Sequence, residues 1–277
     1  RFGADVINRI IESTKPGGQK KLQDAIVSET LNPMIQQMCR AAGISPRHIF
    51  RLAIAGNSTM NHLLMGINAD PLRMEPYIPA FFKTNSFYAS DIHLNVHPDA
   101  HIIMAPNIGS YVGGDITAGT LVSMIWNRPE FSLFIDLGTN GELVFGNSDF
   151  MMSCACSAGP AFEGGASANV PGTDMIAILA RLLREEKIDR TGLLCEELFE
   201  QGWQEGELRV TQQDIRALQT AKAAVRTGVE LLMKRMDVSC EDVEAVYLAG
   251  GFGRFLDVES AARIGLFPPD LAGKVRA

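Results

Sequence analysis

The sequence predicts an α/β protein with two compact lobes. A chain of 277 residues is near the size at which one hydrophobic core stops growing and a second begins. Short apolar runs that end on glycine turns predict strands, and amphipathic stretches between them predict helices. Two of these strand–turn units, at residues 133–145 and 243–253, have turns that are typical of ligand-binding sites.

The stretch 133–145 predicts a β-hairpin whose turn carries polar groups. An apolar run leads to Asp136, and the turn Gly138, Thr139 and Asn140 precedes a second apolar run. Such a turn suits a phosphate chain and its Mg²⁺. The two hydrogen-bonding side chains and the backbone N–H groups that glycine leaves accessible can bind phosphate oxygens, and the carboxylate can hold the cation. An ordinary hairpin with a polar tip is the alternative interpretation.

The stretch 243–253 predicts a strand that enters a second glycine turn. Gly250, Gly251 and Gly253 fall within this turn, with Phe252 among them. Because glycine has no Cβ, such a turn lets the backbone approach a flat or charged ligand closely. The combination with the carboxylate hairpin is much more specific than either turn alone.

The chain resembles the actin, Hsp70 and sugar-kinase (ASKHA) ATPase superfamily. The resemblance is closer to one branch of it, the ATP-dependent reductive activators of corrinoid proteins. It implies an α/β fold of two ribonuclease-H-like lobes with a nucleotide cleft between them. The matching blocks follow that family's order: RFGADVINRI, AGNSTMNHLLMG, VGGDITAG, FIDLGTNGELV, SAGPAFEGG and YLAGGFGRFLDVESAARIGLFP.

The resemblance also implies the site residues. Asp136 would be a catalytic carboxylate and the Mg²⁺ ligand, and Asp115 would orient Mg²⁺-bound or attacking water. The first glycine turn would bind phosphates, and the second would shape the adenosine pocket. The residues expected to bind the nucleotide are Gly138, Thr139, Asn140, Gly113, Gly114, Gly250, Gly251, Phe252, Gly253, Gln219, Lys222, Asn57, Thr59 and Glu163.

Some of these residues have structural alternatives. Asn57 or Ser58 suits the N-cap of the helix after the strand 49–55, a position that also favours anions. Asp115 suits the N-terminus of the next helix. Glu163, between glycines, suits turn stabilisation equally well. The residues alone leave these alternatives open.

The remaining elements follow from hydrophobic periodicity and from helix start and stop signals. Pro33 is expected to kink or divide the second predicted helix, and Asp257 is expected to cap a helix after the second glycine turn. The predicted helices are 5–11, 20–42, 175–186 and 211–236. The predicted strands are 49–55, expected to be buried, and 101–106.

Composition and charge argue against some classes of protein. A net charge of −7 leaves no basic stripe for a nucleic-acid partner. Neither an apolar run of membrane-spanning length nor a signal peptide is found in the sequence, so we expect a cytoplasmic protein without a membrane partner. The five cysteines fit a reducing compartment. Cys154 and Cys156 are too close for the usual Cys-x-x-Cys unit, so buried thiols are expected.

The resemblance implies a function for the whole chain. ATP binding and hydrolysis would drive electron transfer onto Co(II) of a corrinoid protein in a methyltransferase system. The expected cofactors are ATP and Mg²⁺, with a 2Fe-2S cluster only in the N-terminal domain that the family usually carries. The expected partners are a corrinoid protein or corrinoid-dependent methyltransferase, and a second copy in a homodimer. The alternatives are a small-metabolite kinase and a non-catalytic docking scaffold.

The two lobes are predicted at 1–129 and 130–277. The superfamily's opening D-I-G-T-T hairpin does not precede Arg1, so low ATPase activity is expected from this chain alone. The sequence also departs from the family between Ser167 and Thr173, where a longer segment with a glycine-rich turn is expected.

Overall fold

The computed structural model describes residues 2, 5–138, 140–159, 170, 172–253 and 255–276. Within this part of the chain there are two compact units, Arg1–Ala118 (unit 1) and Gly119–Ala277 (unit 2). Each unit combines strands with helices, which confirms the predicted α/β class.

Unit 1 opens with consecutive helices and continues with strands and helices. Its helices are α1 (Val6–Ser13), α2 (Gly18–Ile26), α3 (Asn32–Ala42), α4 (Ser58–Leu64) and the start of α5 (Gly114–Ser123), with a π-helical segment at Val27–Leu31. Its strands are β1 (Arg51–Ile54), β2 (Phe87–Tyr88) and β3 (His101–Met104). Short 3₁₀ segments cover Pro46–His48, Asp70–Leu72 and Ala89–Ile92.

The first helix boundaries follow the signals in the sequence. The Asp5 side chain caps α1 by accepting the Asn8 N–H at 2.8 Å. The predicted helix 20–42 is divided by the π-helical segment, and Pro33 lies in the first turn of α3. Because proline has no N–H to donate, it suits a first turn. The predicted boundary at Pro33 is therefore confirmed.

The sheet of unit 1 has the order β1-β3-β2 within the described residues. β1 runs parallel to β3, with Leu52 opposite Ile102. The prediction of a buried strand at 49–55 is wrong, because β1 alternates exposed and half-buried residues. Side chains of a strand alternate between the two faces of a sheet, and only one face of β1 meets the core.

His62 fixes α4 to a later loop. Its Nε2 accepts the Ala80 N–H at 3.0 Å, its Nδ1 lies 2.7 Å from the Ser58 carbonyl oxygen, and its ring stacks on Phe81. Because Nε2 is an acceptor, the proton is on Nδ1, which donates to Ser58. Burial lowers the pKa of His62 below its ordinary value, so the folded state contains the neutral ring.

Unit 2 contains a larger sheet. Its strands are β4 (Phe131–Leu137), β5 (Gly141–Gly146), β6 (Met151–Cys156), β7 (Trp203–Glu205), β8 (Leu208–Val210), β9 (Val243–Ala249) and β10 (Val275–Arg276). Its helices are α6 (Gly172–Arg184), α7 (Glu196–Phe199), α8 (Gln212–Arg235), α9 (Gly250–Gly253) and α10 (Val258–Arg263). Short 3₁₀ segments cover Ile125–Asn127 and Pro269–Lys274. Among the described helices of the chain, none is long and apolar enough to cross a membrane.

The register of the main sheet in unit 2 places the two glycine turns side by side. The strand order in the described residues is β10-β9-β4-β5-β6. The predicted hairpin is confirmed, because β4 and β5 are antiparallel, with Ile135 opposite Leu143. On its other side β4 runs parallel to β9, with Asp136 opposite Ala249. Parallel strands end at the same edge of a sheet, so both turns lie at one edge.

The core of unit 2 lies between this sheet and the helices α6, α8 and α10. Leu133, Ile135 and Phe145 of the hairpin are fully buried, as are Val225 and Val229 of α8. Each such side chain contributes about 1.5–3 kcal/mol by leaving water. The apolar strands thus anchor the hairpin, and its polar tip is held at the edge of the sheet.

Lowering the pH below about 6.5 is expected to destabilise the chain through His62. The folded state lowers the pKa of the ring, whereas the unfolded chain binds a proton near the ordinary value. The stabilisation is therefore present above about pH 6.5 and is lost as the pH falls. Urea denaturation at about pH 5 and about pH 8 measures the difference.

The His62→Gln variant should lose this part of the pH dependence. His48 is exposed, so His48→Gln is the matched control and should keep it. The same pH dependence in wild type and His62→Gln would refute this assignment.

Candidate functional site

The structure brings the carboxylate of Asp136 against Gly250. A Cβ added at Gly250 would lie 2.5 Å from Asp136 Oδ1 and 2.6 Å from the Leu137 carbonyl oxygen. Gly250 also has a φ of +83°, which side chains other than glycine rarely adopt. Both the space and the backbone conformation therefore require glycine here. The two turns that the sequence singled out therefore lie against each other and make one candidate site.

The tip of the hairpin is a tight turn between β4 and β5. The Gly138 N–H donates to the Asn140 carbonyl at 2.9 Å, so this N–H is used within the turn. Thr139 lies outside the described residues. Gly141 ends the turn and packs closely on α8, because a Cβ there would lie 2.9 Å from Val225 Cγ2. The base of the tip is thus fixed against α8.

The second glycine turn winds into one helical turn, α9, directly after β9. No atom lies within 4 Å of the position that a Cβ would have at Gly251. Gly253 ends α9, and Asp257 then caps α10 with its side chain, as predicted. The side chain of Phe252 lies outside the described part of the structure. Gly251 therefore offers a backbone surface without a side chain, next to the Gly250 residue that lies against Asp136.

A small pocket beside α8 includes both predicted nucleotide contacts of that helix, Gln219 and Lys222. Its volume is about 60 Å³, which is room for a few water-sized groups. Apolar residues of α6 and α8 form part of the wall, together with the loop 188–192 and Ile264. The structure thus brings these two predicted residues together in a concave surface of unit 2.

Gln219 and Lys222 also hold neighbouring segments in place. Gln219 Nε2 donates to the Thr191 carbonyl at 2.7 Å, and Lys222 Nζ donates to the Ile264 carbonyl. Burial lowers the pKa of Lys222, and the nearby positive charge of Arg226 adds to this effect. These bonds join α8 to the loop before α7 and to the end of α10, which is a structural role the sequence did not indicate.

The loop 188–192 is the part of the pocket that the sequence analysis missed. Asp189 Oδ1 accepts the Leu193 N–H at 2.9 Å and the Thr191 N–H at 2.8 Å. Hydrogen bonding lowers the pKa of Asp189, and the bond from the Leu193 N–H has the largest effect. Gly192 adopts a φ of +74° and packs against α8. An aspartate followed by glycine three residues later is a turn signal that would have located the loop.

In unit 1, Gly113 and Gly114 let the start of α5 pack closely on its surroundings. A Cβ at Gly113 would lie 2.5 Å from Asn57 Cα and 2.6 Å from Ser58 N. A Cβ at Gly114 would lie 2.5 Å from the Ala105 carbonyl oxygen. The start of α5 therefore lies directly on the start of α4 and just beyond β3, which brings the predicted residues of this unit together.

Two polar residues of this group in unit 1, Asn57 and Asp115, have backbone partners. Asn57 caps α4 by accepting the Met60 N–H at 2.8 Å, which is the structural alternative left open by the sequence. Asp115 lies in the first turn of α5, and its Oδ1 accepts the Ile116 N–H at 2.9 Å. Burial raises the pKa of Asp115. Thr59 is buried within α4.

The fold and the joined glycine turns define an ASKHA domain. The family model described as "C-terminal domain of RACo the ASKHA domain" matches residues 130–169 and 166–276, and the model "RACo middle region" matches residues 1–128. The chain therefore belongs to the RACo family, as its sequence blocks predicted. The two parts of the C-terminal match overlap at 166–169. Glu163, which is near this overlap in the sequence, lies outside the described residues.

Similar proteins support this family and its fold. The corrinoid activation enzyme RamQ of Eubacterium limosum is 31% identical, over 96% of this chain and 54% of its own length. The Co(II) methylated amine-specific corrinoid protein reductase of Methanosarcina barkeri is 25% identical, over 61% of this chain and 41% of its own length. A solved reductive activator for a corrinoid, iron-sulfur protein is 34% identical, with a TM-score of 0.80 over 99% of this chain and 54% of its own. The predicted actin/Hsp70-like fold class is confirmed, and the chain spans about half the length of RamQ and of that structure.

The compact units and the family models divide the chain at different residues. The units meet between residues 118 and 119, and the matched models meet between 128 and 130. The lobe limits 1–129 and 130–277 stay a prediction.

Replacing Gly250 with alanine is expected to lower the free energy of unfolding by roughly 1–3 kcal/mol. The added Cβ would meet the Asp136 carboxylate in a left-handed backbone conformation. Gly251→Ala is the matched control, because its Cβ would meet no atom within 4 Å. Its effect should stay within about 0.5 kcal/mol. Urea denaturation measures both, and equal stability of the two variants would contradict the close contact.

Proposed function

We propose that this chain is the nucleotide-binding part of a reductive activator, an ATPase that couples ATP hydrolysis to electron transfer onto Co(II) of a corrinoid protein. The observation that carries the proposal is the contact between the Asp136 carboxylate and Gly250, in a chain of the RACo family. The support for the substrate is the similarity to RamQ, a corrinoid activation enzyme, and to the Co(II) corrinoid protein reductase.

The donor groups at the edge of the sheet suit Mg²⁺. Mg²⁺ usually binds one or two carboxylates and completes its shell with water and phosphate oxygens. Asp136 supplies a carboxylate on a rigid strand end, and no set of three or more His, Cys, Asp or Glu side chains is placed for a metal within the described ranges. We therefore propose that the cation binds together with the nucleotide, with Asp136 as its protein ligand.

The glycine turns suit a nucleotide beside that carboxylate. We assign the phosphates to the hairpin tip, with Thr139 and the side chain of Asn140 as the hydrogen-bonding groups, because the Gly138 N–H is used within the turn. Gly251, with open space where a side chain would be, lets the ligand approach the backbone. The pocket at Gln219 and Lys222 is much smaller than the several hundred Å³ of a usual ligand site. We therefore propose that these two residues contact only one edge of the adenosine.

The chain's own residues would then act mainly by positioning. Bound Mg²⁺ would supply charge neutralisation on the phosphate oxygens. The pairing of β4 on both sides holds the Asp136 carboxylate in one place, so little reorganisation is needed when charge develops. Asp115 is proposed to orient water, and its raised pKa suits a group that accepts a proton.

Electron transfer itself is proposed to use a 2Fe-2S centre of a further domain in the full-length protein. This chain would convert ATP turnover into the driving force for that transfer, by a conformational step. The proposed partners are a corrinoid protein or a corrinoid-dependent methyltransferase, and a second copy of the chain. A cytoplasmic location is part of the same proposal.

Replacing Asp136 with alanine is expected to weaken Mg·ATP binding by the full-length protein about tenfold or more. The reason is the loss of the carboxylate that would hold the cation. Isothermal titration calorimetry of Mg·ATP measures the affinity, and an assay of ATP-dependent reduction of a Co(II) corrinoid protein should lose its rate in parallel.

The matched control is Asp149→Ala. Asp149 is an exposed carboxylate between β5 and β6, at the opposite end of the same hairpin. Its removal should leave the affinity unchanged. Absence of Mg·ATP binding by the wild-type protein would overturn the nucleotide proposal, and equal losses in the two variants would overturn the role of Asp136.

A further inference from the structure

Cys154 and Cys156 form a pair of thiols on one face of β6. Residues two apart in a strand point to the same side, so the two side chains project from one face of β6. A Cβ at Gly228 of α8 would lie 2.5 Å from Cys156 Sγ and 3.5 Å from Cys154 Sγ. Both sulfur atoms therefore occupy one small space, which the absence of a side chain at Gly228 provides.

One member of the pair is accessible and the other is protected. Cys154 is half-buried, whereas Cys156 is only 8% exposed. β6 is the edge strand of the described sheet, with β5 as its neighbour. A small reagent that approaches this edge would meet Cys154 first.

The two thiols are chemically unequal. Cys154 is the accessible thiol of the pair, so it is the attacking residue, and the buried Cys156 is the resolving one. The pKa shifts agree with this order, because the interaction between the two thiols lowers the pKa of Cys154 and, together with burial, raises that of Cys156. The thiolate is the nucleophile in thiol–disulfide exchange.

We propose that Cys154 and Cys156 are a site of reversible oxidation by low-molecular-weight disulfides. The Cys154 sulfur attacks one sulfur of R–S–S–R, breaks that S–S bond and releases one R–SH. The Cys156 sulfur then attacks the Cys154 sulfur of the mixed disulfide, forms the Cys154–Cys156 bond and releases the second R–SH. The two thiol protons leave on the released thiols, and two electrons pass from the pair to the reagent.

The spacing of the pair makes this oxidation easy to reverse. Cα atoms two residues apart in a strand are separated by about 6.6 Å, at the upper end of the roughly 4.4–6.8 Å that disulfides span. Most disulfides span about 5.5–6 Å, so a bond of ordinary geometry draws β6 together locally. Strained disulfides are the more easily reduced ones, so the site is suited to switching rather than to permanent cross-linking.

Contraction of β6 would act on the proposed nucleotide-binding elements. Cys156 pairs with Gly141, which directly follows the hairpin tip. Gly228, whose side-chain space both sulfur atoms occupy, lies on the helix that carries Gln219 and Lys222. Oxidation therefore weakens Mg·ATP binding, a consequence that rests on the proposed function.

The test treats the full-length protein with 2-hydroxyethyl disulfide, blocks the remaining thiols with N-ethylmaleimide and cleaves the chain after glutamate residues. The fragment 143–163 then contains Cys154 and Cys156 and no other cysteine. Mass spectrometry should show this fragment two hydrogen atoms lighter and without an adduct, and dithiothreitol should reverse the change. A fragment that carries two N-ethylmaleimide adducts, or two 2-mercaptoethanol adducts, would overturn the proposal.

The other cysteines and two single variants provide the controls. Cys195 and Cys240 lie on separate fragments, each without a second cysteine. If either thiol reacts with the reagent, its fragment should therefore keep the 2-mercaptoethanol adduct. Cys156→Ser should keep such an adduct on Cys154, because the resolving thiol is absent. Cys154→Ser should react at least tenfold more slowly at Cys156 than Cys154 does in wild type. Equal rates would contradict the assignment of the attacking thiol.

Calorimetry of Mg·ATP with the reduced and oxidised protein tests the consequence separately. The oxidised protein should bind several-fold more weakly and recover with dithiothreitol, and the Cys154→Ser variant should not change after the same treatment. Unchanged affinity in protein that carries the disulfide would overturn the coupling. Absence of binding in the reduced protein would count against the proposed function instead, and the fragment mass would still decide whether the oxidation site exists.

Discussion

The parallel pairing of β4 with β9 is the interaction on which the candidate site depends. It sets Asp136 opposite Ala249, so that the following residue, Gly250, lies against the Asp136 carboxylate. A shift of this register by one residue would turn the carboxylate to the other face of the sheet. The buried residues Leu133 and Ile135, which fix the register, therefore also fix the site. A site held by strands in this way is more rigid than one built on loops.

Several residues of the candidate site also hold the fold together. Gln219 and Lys222 bond to carbonyl groups of neighbouring segments, and Asn57 caps α4. Substitution of these residues would change stability as well as any ligand contact, because each leaves a polar group without its partner. Gly251 separates the two effects better, since a Cβ there would meet no atom within 4 Å, whereas a Cβ at Gly250 would meet the Asp136 carboxylate.

The sequence predicted local features better than long-range ones. The hairpin at 133–145, the helix boundary at Pro33 and the cap at Asp257 depend on nearby turn and capping residues, and all three are present. The partner of β4 could not be predicted from periodicity, because β9 lies far along the chain and a pattern within one segment carries no information on pairing. The turn signal of the loop 188–192 is local and would have located the loop, but its packing on α8 is long-range and could not be predicted in this way. The apolar run at β1 predicted burial, but such a run does not distinguish a strand covered on both faces from one covered on a single face.

Hydrogen–deuterium exchange on the full-length protein, with and without Mg·ATP, tests the central claim most directly. The claim is that the two glycine turns of unit 2 form one nucleotide site. It predicts that the segments 136–141 and 248–253 gain protection together, at the same nucleotide concentration, while the β7–β8 hairpin at 203–210 stays unchanged. Protection of only one of the two segments, or of neither, would contradict it.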